Sequence, residues 1–214
     1  MMIRIGCLHA HHSNIEYIEG ELTPYNVKMV HFVDPGLMYH MDSGPNVHIA
    51  EKVEQQLNWI ESCQVDAILI TCTNYIALLD ETDYETATPI IKIDEPFFEQ
   101  ICKNSEPQTL LFSNPATVSG TMNRLFQYAD KWSRTVKVEA RLIENSFQFI
   151  MNGEKDAYNH AIVSYLEKYS DSEHISVAQL SMVNGARKSG KDVFHPLDAL
   201  IKHVVQHFEL DKQA

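Results

Sequence analysis

The segment Ala67-Ile-Leu-Ile-Thr-Cys-Thr-Asn74 runs through four apolar residues and then stops on small hydroxyl, thiol and amide side chains. A short apolar run bounded in this way reads as a strand of a sheet. The residues that stop it are good helix caps, so the spacing predicts a helix straight after it. A second segment, Thr109-Leu-Leu-Phe-Ser-Asn-Pro-Ala116, repeats the design. There Ser113 or Asn114 caps, and Pro115 takes the first helical position, where its missing N–H costs nothing. Pro96 repeats the device after Asp94.

Outward from these two segments the same rhythm holds, a short β-branched run followed by a longer stretch with helical spacing, which is the pattern of a parallel α/β sheet. Strands are predicted over residues 3–8, 27–33, 67–71, 90–93, 109–112, 136–142 and 175–179. Helices are predicted over 47–63, 96–103, 116–129, 156–169 and 196–208, besides the one that follows the first segment. No Gly/Ser linker separates the halves, so any domain boundary is a short crossover. In such sheets the strand C-termini gather along one edge, where ligands bind.

Composition narrows the partners. With 29 Asp plus Glu against 17 Lys plus Arg, the net charge of −12 opposes binding that relies on neutralising nucleic-acid phosphates. A helix N-terminus can still receive one small anion. The first residues, MMIRIGCLHAHH, carry no apolar stretch of signal-peptide length, and no run reaches the roughly 18 apolar residues of a membrane span. The expectation is a cytoplasmic protein that binds neither nucleic acid nor membrane. Cys7, Cys63, Cys72 and Cys102 are scattered, so free thiols are expected.

Cys72 is the thiol with a chemical context. It ends a strand just before a helix, whose dipole and free N–H groups stabilise a thiolate. Cys7, Cys63 and Cys102 read as inert. Two other motifs suggest different chemistry. His9 and His11 share one face of an extended strand, as in the H-x-H pairs of metal-dependent hydrolases, but later ligands at suitable spacing are missing. Gly185-Ala-Arg-Lys-Ser-Gly-Lys191 matches the opening of a phosphate-binding loop, but Asp192 stands where a hydroxyl is required.

Four motifs, in order, carry a resemblance. Ile68-Leu-Ile-Thr-Cys-Thr-Asn74 resembles the first cysteine motif of the aspartate/glutamate/hydantoin racemase superfamily. Pro89-Ile-Ile-Lys-Ile-Asp-Glu-Pro96 is similar to its next strand and proline-started helix. Residues 109–118 resemble its A-T-x-x-T-V turn, and Val177-Ala-Gln-Leu-Ser-Met182 its late A-Q-x-S-M variant. The resemblance implies two Rossmann-like domains with parallel sheets facing across a cleft. Residues 1–95 with 195–214 would form the first and 96–194 the second. It also implies a small carboxylate substrate, no cofactor and a homodimer.

By the same resemblance Cys72 is the base or nucleophile; the cap residues Thr73, Asn74, Ser113, Thr117 and Ser181 read as the group that holds the carboxylate, with Asn114, Ala116 and Gln179 as further substrate-binding candidates. Where two-cysteine relatives carry their second thiol, this chain has none. Gln179, Leu180 or Ser181 takes its place, and an unactivated serine hydroxyl is a poor acid. His9, His11, Glu144 and His195 are further candidates for the missing proton carrier, the first two because the resemblance places site residues after the first strand. The expected activity is therefore cofactor-independent isomerisation or racemisation of a small carboxylate. A decarboxylase or lyase, a non-catalytic carboxylate-binding protein and a metal-dependent hydrolase are the alternatives.

Overall fold

A computed structural model describes residues 2–36, 47–82 and 84–213, with the side chains of residues 47 and 48 left aside. It divides into two compact units, residues 1–95 with 200–214 and residues 96–199. The return to the first unit falls between Ala199 and Leu200, five residues after the break between 194 and 195 read in the sequence, so His195 lies in the second unit.

In the first unit β1 (Ile3–His9), β2 (Val27–Val33), β3 (Ala67–Ile70) and β4 (Ile90–Lys92) form one parallel sheet in the order β2-β1-β3-β4. All four residues of β3 are buried, as expected of a central strand covered on both faces. Helices α1 (Ser13–Leu22), α2 (Val47–Ser62) and α3 (Thr73–Asp80) connect the strands. The approach of α2 to β1 is set by Gly6, where an added Cβ would lie 2.5 Å from Cγ2 of Ile60.

In the second unit β5 (Gln108–Phe112), β6 (Val138–Leu142) and β7 (His174–Val177) are parallel in the order β6-β5-β7. Alternation along β5 sends Leu110 and Phe112 to one face, with Phe97, Phe98 and Leu125. Leu111 goes to the other face, with Tyr158, Ile162 and Met182. The helices are α4 (Asp94–Ile101), which starts in the first unit, then α5 (Val118–Lys131), α6 (Ser146–Met151), α7 (Lys155–Leu166), α8 (Val183–Lys188) and α9 (Pro196–His207), which ends in the first unit. No helix among the described residues is long and apolar enough to cross a membrane.

Parallel α/β pairing is thus what the sequence rhythm predicts, two sheets are what the resemblance implies, and each predicted strand is present. Helices α1, α6 and α8 lie outside the predicted set. In α8 Gly185 is a helical residue rather than part of a phosphate-binding loop, and a Cβ there would sit 2.7 Å from Cβ of the buried Ile162. Gly185→Ala is therefore expected to destabilise the fold by ~1–3 kcal/mol through overpacking. Urea denaturation measures it, and an unchanged midpoint would show that α7 and α8 yield freely.

Candidate active site

Parallel register brings the C-terminal ends of β1, β3 and β4 to one edge of the first sheet. Leu8 pairs with Ile70 and Ile70 with Lys92, so His9, Cys72 and Asp94 all follow at that edge. Cys72 is the N-cap of α3, in extended conformation (φ −115°, ψ 120°), and it is half-buried. Its sulfur accepts from the backbone N–H groups of Tyr75 and Asn74, which favour the thiolate. Burial outweighs them and holds the thiol above its ordinary value. The N–H groups expected from the sequence at the helix start are in place at the sulfur, and burial opposes them. Thr73 and Asn74 open α3 beside it, both half-buried.

His9 is fully buried, and both its ring nitrogens are engaged. Nδ1 lies 2.8 Å from Thr71 Oγ1 and Nε2 2.8 Å from Nδ1 of His31. His31 Nε2 in turn meets Glu19 Oε1 at 3.2 Å. A carboxylate only accepts, so His31 donates to Glu19; a neutral His31 then accepts from His9 and His9 from Thr71, whose hydroxyl also lies 3.3 Å from the Leu8 carbonyl. Burial and the neighbouring His31 lower the His9 pKa to about 4, so its ring is neutral. His9 thus has both ring nitrogens engaged within the chain, one of them with Thr71, the residue before Cys72. His11 is exposed, with Nδ1 2.8 Å from Ser13 Oγ.

Asp94 carries no signal in the sequence beyond its place at a helix start. It is 4% exposed, and burial, with Glu95 adding, raises its pKa to about 7. The neutral acid is favoured in the fold. Its contribution to stability is complete below the ordinary value of 3.8 and drains away as pH climbs through about 7. Stability is expected to fall over that window by up to ~1.4 kcal/mol per pH unit from this group, and Asp94→Asn should remove that component. Urea midpoints of both proteins at several pH values measure it; parallel curves would refute it.

At the C-terminal edge of the second sheet the A-Q-x-S-M and A-T motifs meet. Gln179 Oε1 accepts from Ser113 N–H at 2.8 Å, Ser113 Oγ at 2.8 Å and Asn114 N–H at 3.1 Å. Ser113 Oγ lies 2.7 Å from the Tyr158 hydroxyl, which lies 2.9 Å from Ser181 Oγ. Because the two N–H groups fix which end of the Gln179 amide is oxygen, the hydroxyls are ordered: Ser181 donates to Tyr158, Tyr158 to Ser113, and Ser113 to Gln179. Burial raises the Tyr158 pKa, so the phenol keeps its proton. Gln179 Nε2 reaches Thr117 Oγ1 at 3.4 Å. Asn114 caps the turn by accepting from Ala116 N–H at 3.0 Å.

The structure therefore brings Ser113, Asn114, Ala116, Thr117, Gln179 and Ser181 together, and adds Tyr158, for which the sequence held no signal beyond an apolar helical position. The N–H groups of Ser113, Asn114 and Ala116 are spent inside the chain. Glu144 is exposed, outside this network. His195 is buried at the start of α9, where its Nδ1 accepts from Asp198 N–H at 3.3 Å and its Nε2 lies 3.1 Å from Asp198 Oδ2. It is a helix-start fixture.

With two parallel α/β sheets and these edges described, the chain has the fold of the aspartate and glutamate racemases. It is similar to the aspartate racemase of Picrophilus torridus, with a TM-score of 0.74 and 13% identity over 99% of this chain and 96% of that one. An aspartate racemase homologue from Pyrococcus horikoshii gives 0.66 and 11% over 98% and 100%. The glutamate racemase of Francisella tularensis, solved in complex with D-glutamate, gives 0.65 and 13% over 97% and 82%. No family model and no curated protein sequence matches the chain.

Proposed function

We propose that the chain is a cofactor-independent isomerase of the racemase type, acting on a small amino acid or related carboxylate, with Cys72 as the group that moves the α-proton. The observation that carries this is Cys72 at the N-cap of α3, half-buried, its sulfur facing two backbone N–H groups at the ligand-binding edge of a parallel sheet. Thr73 and Asn74 are assigned to the substrate carboxylate. Thr117, Gln179 and Ser181 are assigned to substrate hydrogen bonding, with Ser181 accepting rather than donating, a role suited to an ammonium group. We place the enzyme in the cytosol as a homodimer.

One observation favours a second reading. A thiol held protonated by burial is already in the form that gives a proton, so Cys72 would serve equally in a decarboxylase or lyase. There the substrate loses carbon dioxide, the electron pair of the broken bond remains as an enolate, and the thiol proton joins the carbon from one face.

Incubating amino and hydroxy acids with the protein in heavy water, with NMR of the α-proton, tests the proposal. Wash-in of deuterium without loss of carboxylate is the expected result. Release of carbon dioxide selects the second reading, and binding with neither event leaves a carboxylate-binding protein.

A further inference from the structure

Cys7 and His9 alternate along β1 and so point to the same face of the sheet, and the parallel register sets His31 of β2 directly beside Cys7. Their ligand atoms, one from each residue, all lie within 4.8 Å of one another. That spacing approaches the distances between ligands on a tetrahedral ion. The two imidazoles meet through Nε2 of His9 and Nδ1 of His31, 2.8 Å apart. Each far nitrogen is held by an oxygen, Thr71 Oγ1 at 2.8 Å and Glu19 Oε1 at 3.2 Å. This is the outer support that orients metal-bound histidines.

We propose that Cys7 Sγ, His9 Nε2 and His31 Nδ1 form a binding site for a divalent ion of the zinc type, independent of the racemase chemistry proposed for Cys72. One thiolate and two imidazoles leave the fourth tetrahedral position open, and the thiolate with two nitrogens selects zinc over magnesium or calcium. The charges close: the ion carries +2, the Cys7 thiolate −1 and the Glu19 carboxylate −1.

The protons balance as well. The thiol proton leaves to solvent as the sulfur–metal bond forms. His31 keeps its Nε2 proton on Glu19, and His9 shifts its one proton from Nε2 to Nδ1. Thr71 then accepts from His9 and turns its own hydrogen to the Leu8 carbonyl, 3.3 Å away. Metal binding thus reverses one bond at the residue next to Cys72 without consuming the thiol there. The ion enters beside His31, whose side chain is 13% exposed, on an edge strand.

The test uses the untagged full chain titrated with Zn2+ against a chromogenic chelator, and with Co2+ by absorption spectroscopy. One equivalent of zinc and a thiolate-to-cobalt charge-transfer band are expected. His11 with His12, and His203 with His207, are exposed or helical pairs without sulfur and cannot produce that band. Cys7→Ser and His31→Gln should remove the band, and the partly exposed Glu19→Gln should weaken zinc ~10–100-fold. Cys72→Ala and Cys63→Ser should leave both readings intact. Circular dichroism checks folding; if the buried Cys7→Ser fails to fold, His31→Gln and Glu19→Gln decide. Absence of stoichiometric zinc, survival of the band in folded His31→Gln, or its loss in Cys72→Ala overturns the site.

Discussion

Cys72→Ala is expected to slow α-proton exchange at least ~100-fold, the lower end of what a positioned acid or base contributes, while leaving the urea midpoint within ~1 kcal/mol of the parent. Cys72→Ser should fare little better, because a hydroxyl is a far weaker acid than a thiol. The pH profile carries the sign. If the thiolate removes the proton, the rate climbs with pH and continues past the ordinary thiol range near 8.5, because burial holds this thiol higher. If the thiol donates, the rate is flat through neutrality and falls as the proton is lost. Exchange in Cys72→Ala at the parental rate would remove the thiol from the reaction altogether.

Gln179→Leu should be the most costly change in the second unit. Its side-chain oxygen accepts from two backbone N–H groups and one hydroxyl, and leucine leaves all three donors facing an apolar group. Each orphaned donor that stays out of water costs ~1–3 kcal/mol, so a loss of about 2 kcal/mol or more is expected from urea denaturation. The hydroxyls would also lose their order, because the amide is what sets the direction from Ser181 through Tyr158 to Ser113. Gln179→Glu keeps the acceptor and should lose far less. Equal stability of the leucine and glutamate variants would mean that Ser113 and Asn114 find other partners.

The architecture was legible where apolar periodicity is strong. The runs at Ile3, Val27, Ala67, Ile90, Thr109, Val136 and Ile175 read as short strands, and Pro115 marked the start of its helical turn, while Pro96 falls two residues inside α4, which starts at Asp94. Helix α1 lies outside the predicted set although Ile15, Ile18 and Leu22 have helical spacing, because no capping side chain marks its start. Short α6 and α8 carry too few apolar positions for a period to emerge.

Site residues were legible when a cap or strand end flagged them, as with Cys72, Asn114 and Gln179. Tyr158 and Asp94 were not, since a buried phenol and a buried carboxyl look in sequence like a core aromatic and a surface acid. The pairing of His31 with Cys7 was equally hidden. Nothing in a linear string tells which residue of β2 lies beside which of β1 until the register is known.

The path of the chain has a consequence for how it is made. Strand β1 is made before residues 96–199, yet backbone bonds from Asn26 N–H to the Asp211 carbonyl and from Gln213 N–H to the Pro24 carbonyl tie its unit to residues more than a hundred and eighty positions later. Residues 96–199, by contrast, form an uninterrupted stretch with their own sheet. On the ribosome residues 96–199 are able to fold as one stretch, and the half bearing Cys72 gains its closing stitches only when residues 200–213 emerge.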